Sequence, residues 1–187
     1  MKELSDKGSA CYRRWLEGDE SAANDIMEDL FFGLVYFIDR YVHDVHAAED
    51  IAMDVMSDLF VHRHRYDFRV TLKTYLCMRG KSKAIDLLRH RKALRLDPLS
   101  EAEAYPDERA ELEEKLIVSE RQRAVREAMS RLPGDMREAI GLVCFEELSY
   151  SEAARVMGVK PKQIDNLLYR AKKELRSILG EEARELL

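Results

Sequence analysis

Apolar residues recur every three or four positions along most of this 187-residue chain, which is the period of an α-helix. Ile26, Leu30, Leu34 and Ile38 form one such line in the first half, and a second apolar line through Val35 runs beside it. A helix with two apolar lines is apolar over much of its circumference. We therefore expect this helix to be buried on more than one side.

Two more helices are predicted in the first half of the chain. One carries Ala48 and Leu59 on its apolar face and ends near His62. The next begins after Thr71, whose hydroxyl can cap it, and runs to about Lys92. No segment alternates apolar and polar residues with the two-residue period of a strand. The fold is therefore predicted to be all-α.

The helical pattern stops before Pro98. The segment that follows contains Pro106, a run of acidic residues and few large apolar side chains, which is typical of a linker. The sequence thus predicts two small helical domains, at residues 1–93 and 119–187, joined by a flexible acidic linker at residues 94–118.

In the second domain, a first helix is expected to stop at Pro133-Gly134. Asp135 and Glu138 have the spacing of a capping box, so they predict the start of a helix that reaches about Phe145.

The chain after residue 148 has the layout of a helix-turn-helix. A capping box at Ser149 and Glu152 opens a short helix, and Gly158 can take the left-handed conformation that ends it. Pro161 suits the first turn of the next helix, which is predicted to run to about Leu179. Two consecutive alanines in the short helix would let the two helices cross closely.

Charge is segregated along the chain, although the formal net charge is only −5. Residues 18–67 contain 12 acidic and 3 basic side chains, whereas residues 73–95 contain 8 basic and 1 acidic. A second basic segment, residues 160–176, has 6 basic against 2 acidic side chains. Two basic patches on an acidic body can hold phosphates locally while the acidic parts face another partner.

No apolar run approaches the roughly 20 residues that a membrane-spanning helix needs, and the first residues lack the apolar core of a secretory signal. We therefore expect a cytoplasmic protein without a membrane span. The three cysteines are far apart and form neither a disulfide framework nor a metal-binding pair. All three are expected to be reduced, with Cys77 and Cys144 in the core.

The second helix of the helix-turn-helix carries polar side chains suited to DNA. Amide side chains can bond adenine in two places, and Lys or Arg can reach guanine or phosphate. The expected contacts are Lys160, Lys162, Gln163, Asn166, Tyr169, Arg170 and Lys173. Its buried side is expected to hold Ile164, Leu167 or Leu168, Ala171 and Leu175. The structural alternative is an ordinary helical hairpin with a basic face.

The other basic helix follows a run of cations and aromatic residues at positions 62–69. Such a mixture suits single-stranded or melted DNA, where bases can stack on aromatic rings. Alternatively, Tyr66 and Phe68 fill space between helices.

Several motifs together resemble the sigma-70 family of RNA polymerase initiation factors, and in particular its extracytoplasmic-function (ECF) group. The motifs that carry this likeness cover most of the chain and are Gly18-Asp19-Glu20, Ala48-Glu49-Asp50-Ile51, Tyr75-Leu76, Ala84-Ile85-Asp86, Arg131-Leu132-Pro133, Leu148-Ser149-Tyr150-Ser151-Glu152 and Tyr169-Arg170-Ala171. The resemblance implies a sigma-2 helical bundle and a sigma-4 helix-turn-helix domain. The chain departs from the family's usual residues at Ser82, Tyr75, Lys160, Asp165 and Leu167.

The likeness also implies roles for individual residues. Asp50, Asp54 and Asp58 would dock on the clamp helices of the polymerase β′ subunit, and the β flap would be a further partner. Residues 160–173 would recognise the −35 promoter element. Contacts to the −10 element would come from Tyr66, Asp67, Phe68, Arg69, Tyr75, Arg79, Lys81, Ser82, Asp86 and Arg89. By the same likeness, an anti-sigma factor is a possible partner.

These observations favour a promoter-specificity subunit that melts DNA, has no catalytic residues and needs no cofactor or metal. A second hypothesis is a stand-alone helix-turn-helix regulator, which would bind a palindromic site as a dimer. A third is a metal-dependent phosphohydrolase built on His43, Asp44, His46, Glu49 and Asp50. We disfavour it because further ligands at suitable helical spacing and a glycine-rich phosphate loop are missing from the sequence.

Overall fold

The computed structural model describes residues 6–95 and 127–179. All regular structure within those two ranges is helical, which confirms the all-α prediction. The chain divides into two compact units, Met1–Tyr105 and Pro106–Leu187. The predicted linker lies outside the described residues except for its first two positions, so its boundaries stay predictions.

The described part of the first unit contains the helices α1 (Lys7–Leu16), α2 (Ser21–Val42), α3 (Val45–Val61) and α4 (Leu72–Arg95). Helix α2 packs against the other three, as its double apolar line predicted. Ile26 and Ile38 are at most 1% exposed, and Thr71 caps α4 by accepting a hydrogen bond from the amide of Thr74. The first unit is therefore a bundle organised around α2.

Helix α4 crosses α2 closely at Gly80. A Cβ atom at this position would lie 3.0 Å from both Cδ1 and Cγ1 of Ile38 and 3.2 Å from Cδ1 of Leu34. Side chains in a close-packed core leave little room for such contacts. The absence of a side chain at residue 80 thus sets how closely the two helices approach.

The described part of the second unit begins with the end of a helix at residues 127–131. It continues with α5 (Gly134–Ile140), a π-helical turn (Gly141–Phe145), α6 (Tyr150–Met157) and α7 (Pro161–Leu179). The predicted capping box at Ser149 and Glu152 is confirmed in both directions, and Gly158 has the left-handed φ of 70°. Pro161 is the first residue of α7, as predicted.

The capping box predicted at Asp135 and Glu138 is wrong. An Asp135 cap would make Met136 the first helical residue, but helix α5 begins two residues earlier, at Gly134, and Pro133 occupies the cap position without a side-chain hydrogen bond. Asp135 therefore lies in the first turn, where its carboxylate accepts from the Met136 amide at 2.9 Å.

Small residues bring α6 and α7 together. Ala153 and Ala154 are at most 2% exposed, as the crossing requires. The side of α7 that faces them buries Ile164, Leu168, Ala171 and Leu175. Leu168 rather than Leu167 therefore occupies the core, which decides between the two predicted alternatives.

The cysteine prediction is half right. Cys77 is buried on α4, but Cys144 lies exposed in the π-helical turn, so it is not a core thiol. The extra residue in a π-helical turn rotates the side chains that follow it away from their ideal α-helical positions. Cys11, on α1, is buried instead.

Candidate nucleic-acid interface

Helix α7 presents a continuous polar face to solvent. All of its predicted DNA contacts are exposed: Lys160, Lys162, Gln163, Asn166, Tyr169, Arg170 and Lys173. Tyr169 is 72% exposed, so its ring is accessible to a binding partner. Gln163, Asn166 and Arg170 also line a shallow concavity with Leu167 beside the turn.

Two side chains at the start of α7 are engaged within the helix. The Gln163 side-chain oxygen accepts from the Lys160 amide at 2.9 Å, which completes half of a capping box. The Lys162 ammonium donates to Asp165 at 2.9 Å, and this hydrogen bond raises the pKa of Lys162. Both interactions are exposed, so they order the first turn while leaving the side chains accessible.

The segment between α3 and α4 forms the second candidate surface, which we call the aromatic loop (residues 62–71). Phe68 is half-buried and has a φ of 60°, a left-handed conformation that is rare for a residue with a bulky side chain. Its ring centroid lies 4.7 Å from that of Tyr66. The Arg13 guanidinium lies 4.8 Å from the Phe68 centroid, within cation–π distance.

Tyr66 is not on the surface. It is 3% exposed, and its hydroxyl donates to the Val70 carbonyl at 2.7 Å and lies 2.6 Å from the Ser9 hydroxyl. Burial raises the pKa of Tyr66 to about 12. In this conformation Tyr66 fills space between helices, which is the structural alternative stated for it above. Its ring is not accessible to a base.

The remaining predicted −10 residues are spread over the aromatic loop and α4. Asp67 accepts from the Arg69 amide at 3.1 Å, and Arg89 pairs with Asp86 at 3.4 Å. Tyr75 is half-buried, with its ring centroid 5.2 Å from that of Tyr66. Lys81 is half-buried, and Ser82 is exposed.

Acidic residues of α3 and its cap residue Asp44 pair with basic residues of α4. Among the described residues, the ion pairs between them include Asp44 with Arg91 at 2.9 Å, Asp54 with Lys83 at 3.1 Å, and Asp58 with Arg79 at 3.2 Å. The partners' positions run in opposite directions along the chain, as expected for two antiparallel helices. The acidic and basic segments seen in the sequence therefore partly neutralise each other inside the first unit.

Asp58 is the centre of this charge network. Its carboxylate also pairs with Arg65 of the aromatic loop at 2.8 Å and with His62 at 3.3 Å. Burial raises the pKa of Asp58, but Arg65 and Arg79 outweigh that effect and hold the pKa below its ordinary value. Asp58 is thus occupied by basic residues of its own chain, whereas Asp50 is exposed.

The sequence-based search missed the residues of α1 that hold the aromatic loop. Tyr12 is fully buried, and Asp6 and Ser9 both accept from the Leu72 amide at 3.2 Å. The spacing of Asp6 and Ser9 signals a helix start, but nothing local indicates that they also cap α4, 66 and 63 residues further on.

Within the described residues, no group of three or more His, Cys, Asp or Glu side chains could hold a metal ion. His46 and Glu49 of the phosphohydrolase hypothesis are 3.7 Å apart, and their neighbour Asp44 pairs with Arg91. Neither described range contains a helix whose length and hydropathy would let it cross a lipid bilayer.

The first unit is a helical bundle with a basic, aromatic loop, and the second contains a helix-turn-helix whose second helix has an exposed polar face. These features together define a DNA-binding protein built from two helical modules. Comparison with known families agrees. The model for sigma-70 region 2 matches residues 34–94, and the model for sigma-70 region 4 matches residues 122–175. Together these segments cover more than half of the chain.

Two curated sigma factors match this chain over more than nine-tenths of their own length. The ECF RNA polymerase sigma factor SigM of Bacillus subtilis is 26% identical over 162 residues, covering 82% of this chain and 93% of SigM. The RNA polymerase sigma factor CarQ of Myxococcus xanthus is 27% identical over 175 residues, covering 89% of this chain and 96% of CarQ. The chain belongs to the sigma-70 family and is an RNA polymerase sigma factor of the ECF group.

Two solved structures share the fold. The sigma factor RpoE from Bartonella quintana, solved with the anti-sigma factor NepR, has a TM-score of 0.65 at 20% identity, covering 84% of this chain and 96% of RpoE. CnrH, solved with the cytosolic domain of CnrY, has a TM-score of 0.64 at 20% identity, covering 93% of this chain and 97% of CnrH.

Proposed function

We propose that this sigma factor recognises promoters at two places. Helix α7 recognises the −35 element in the major groove through its exposed polar face. The aromatic loop and the first turns of α4 hold unstacked bases of the −10 element. The observation that carries the proposal is the continuous exposed face of α7, where amide, guanidinium, ammonium and phenol groups lie together.

The melting step follows from energies of stacking. Unstacking a base costs a few kcal/mol, and stacking on an aromatic side chain returns roughly 1–3 kcal/mol per base. The half-buried Phe68 ring is the candidate stacking surface of the loop, because Tyr66 is buried. Basic groups of α4, such as Lys81 and Arg89, would hold the adjacent phosphates.

Docking on the polymerase is proposed for the acidic side of α3. Asp50 is exposed and can meet a basic surface directly. Asp54 and Asp58 are engaged with Lys83 and Arg79, so the β′ clamp helices would have to replace these intrachain pairs. Surface ion pairs contribute little net stability, so exchange of the Asp54–Lys83 pair is energetically feasible. Asp58 is half-buried and would have to give up Arg65 as well as Arg79. The β flap would bind the second unit.

Three further parts of the proposal rest on the family. The chain acts as an initiation factor without enzymatic chemistry of its own, and it works in the cytoplasm, where the polymerase is. We also propose an anti-sigma protein as a partner, since both solved structures of similar fold contain a second protein.

The test for α7 is run-off transcription with core polymerase on a promoter selected by the wild-type holoenzyme. Arg170→Ala is compared with Lys172→Ala, which removes the same charge from a position about 200° around the helix. We expect Arg170→Ala to lose about 1–3 kcal/mol of preference at one −35 base pair, and Lys172→Ala to leave sequence preference unchanged. Equal −35 preferences in both variants and wild type would refute the assignment.

A promoter-binding assay with and without core polymerase, combined with light scattering, tests the hypothesis of a stand-alone regulator. The proposal predicts tight, sequence-specific promoter binding only when core polymerase is present. Tight specific binding by the purified chain, together with a dimer in light scattering, would support the regulator hypothesis instead.

A further inference from the structure

We propose that α1 is part of the −10 site and that Arg13 is a positioning residue that orients the Phe68 ring for base discrimination. This inference rests on the proposed function of the aromatic loop. Helix α1 (Lys7–Leu16) lies outside residues 34–94, the segment that matches sigma-70 region 2.

Helix α1 holds both ends of the aromatic loop. At the beginning, the buried Tyr12 hydroxyl is 3.1 Å from the carbonyl oxygens of both Leu59 and Arg63. At the end, Asp6 and Ser9 each accept from the amide of Leu72, the first residue of α4. The span of the loop is therefore fixed by hydrogen bonds to a single helix.

The same helix contacts the middle of the loop. The single proton of the Tyr66 hydroxyl goes to the Val70 carbonyl, so the Ser9 hydroxyl must donate to Tyr66. Phe68 then lies among the Tyr66 ring at 4.7 Å, the Tyr12 ring at 6.0 Å and the Arg13 guanidinium at 4.8 Å. A left-handed phenylalanine persists only where its surroundings determine it, and these three groups do so.

Arg13 is the member of this group that remains accessible to solvent. Tyr12 and Tyr66 are buried and support the fold, whereas Arg13 is only half-buried. Its guanidinium covers part of the Phe68 ring, so it limits the orientation of that ring and the side from which a base can stack. Which base fits therefore depends on a residue that need not touch DNA.

The experiment uses reconstituted holoenzyme and templates that differ only at single −10 positions. Arg13→Ala is compared with Arg14→Ala, because the neighbouring Arg14 pairs with Asp19 and Asp25, away from the loop. We expect Arg13→Ala to reduce base preference about two- to fivefold, the factor that corresponds to an exposed cation–π contact. Arg14→Ala should keep the wild-type preference, and Arg13→Lys should restore part of it.

Two controls make the result decisive. Trp15 fluorescence during thermal unfolding reports the stability of the first unit, since Trp15 packs on Tyr12 and Phe60. If Arg13→Ala lowers initiation equally on all templates in step with stability, Arg13 is only structural and the inference is wrong.

Phe68→Ala separates this inference from the proposed function. If Phe68→Ala abolishes base preference and Arg13→Ala does not change it, the inference alone fails. If Phe68→Ala keeps the wild-type preference, the loop is not the −10 site, and the proposed function and this inference fail together.

Discussion

The close crossing of α2 and α4 leads to a test with an internal control. Gly80 and Gly33 both lie inside helices, and replacing either with alanine brings the same gain in helix propensity, about 1 kcal/mol. At Gly33 a Cβ would meet no atom within 4 Å, so the full gain should appear as added stability. At Gly80 the new methyl would meet Ile38 at 3.0 Å.

The magnitude at Gly80 follows from how little its neighbours can move. Ile38 is fully buried, and one of the two contacted atoms is Cγ1, close to its backbone, so the side chain cannot swing aside. Inserting a methyl group into such a core costs about 1–3 kcal/mol. After the propensity gain, Gly80→Ala should be destabilised by up to about 2 kcal/mol. The two variants should therefore differ by about 1–3 kcal/mol.

Tryptophan fluorescence measures this difference in the full chain. The protein contains 1 tryptophan, Trp15 on α1, so its signal reports the first unit and not the second. For a domain of this size each kcal/mol shifts the thermal midpoint by roughly 4–8 °C. We expect the Gly33→Ala midpoint to rise and the Gly80→Ala midpoint to fall or stay unchanged. If both midpoints rise equally, residue 80 has room for a side chain and the close crossing is refuted.

Three further predictions concern the loop, the turn and the ion pairs. Tyr66→Phe removes the hydrogen bond to the carbonyl of the half-buried Val70, so the Trp15 midpoint should fall by the equivalent of about 1 kcal/mol; an unchanged midpoint would contradict this role. Gly158→Ala forces a left-handed alanine, so amide exchange in α6 and α7 should speed up by the equivalent of roughly 1 kcal/mol, whereas Gly134→Ala should not show this effect. The Ala47 amide and Arg91 lower the pKa of Asp44, so its contribution to stability is present above the ordinary carboxyl pKa and lost as pH falls through the lowered value; Asp44→Asn should flatten this acid dependence of the Trp15 midpoint.

Local features of the sequence predicted the helix-turn-helix correctly. The capping box at Ser149, the left-handed turn at Gly158 and the start at Pro161 each depend on the backbone within a few residues, so spacing alone is informative. The prediction of a cap at Asp135 was wrong because two neighbouring residues both favour the start of a helix. Proline and aspartate are both suited to helix starts, and the structure begins the helix after Pro133 instead.

Long-range pairings could not be predicted in this way. The charge pattern indicated an acidic helix and a basic helix, but not that Asp58 would bind Arg65 and Arg79 of its own chain. Likewise, Tyr66 is an aromatic residue in a basic segment, which is typical of a residue that stacks on bases. Only the packing of α1 against the loop shows that Tyr66 is buried.

The amino-acid sequence by itself determined most of the helices, the caps at Ser149 and Gly158 and the polar face of α7, because these follow from backbone hydrogen bonding and from the 3.6-residue period of neighbouring side chains. The tertiary structure alone decided which cations and carboxylates neutralise each other, which aromatic rings are covered, and that α1 holds the aromatic loop. Those outcomes depend on residues of different helices meeting in space, from 21 positions apart for Asp58 and Arg79 to 66 for Asp6 and Leu72, and no local pattern records which helix faces pack together.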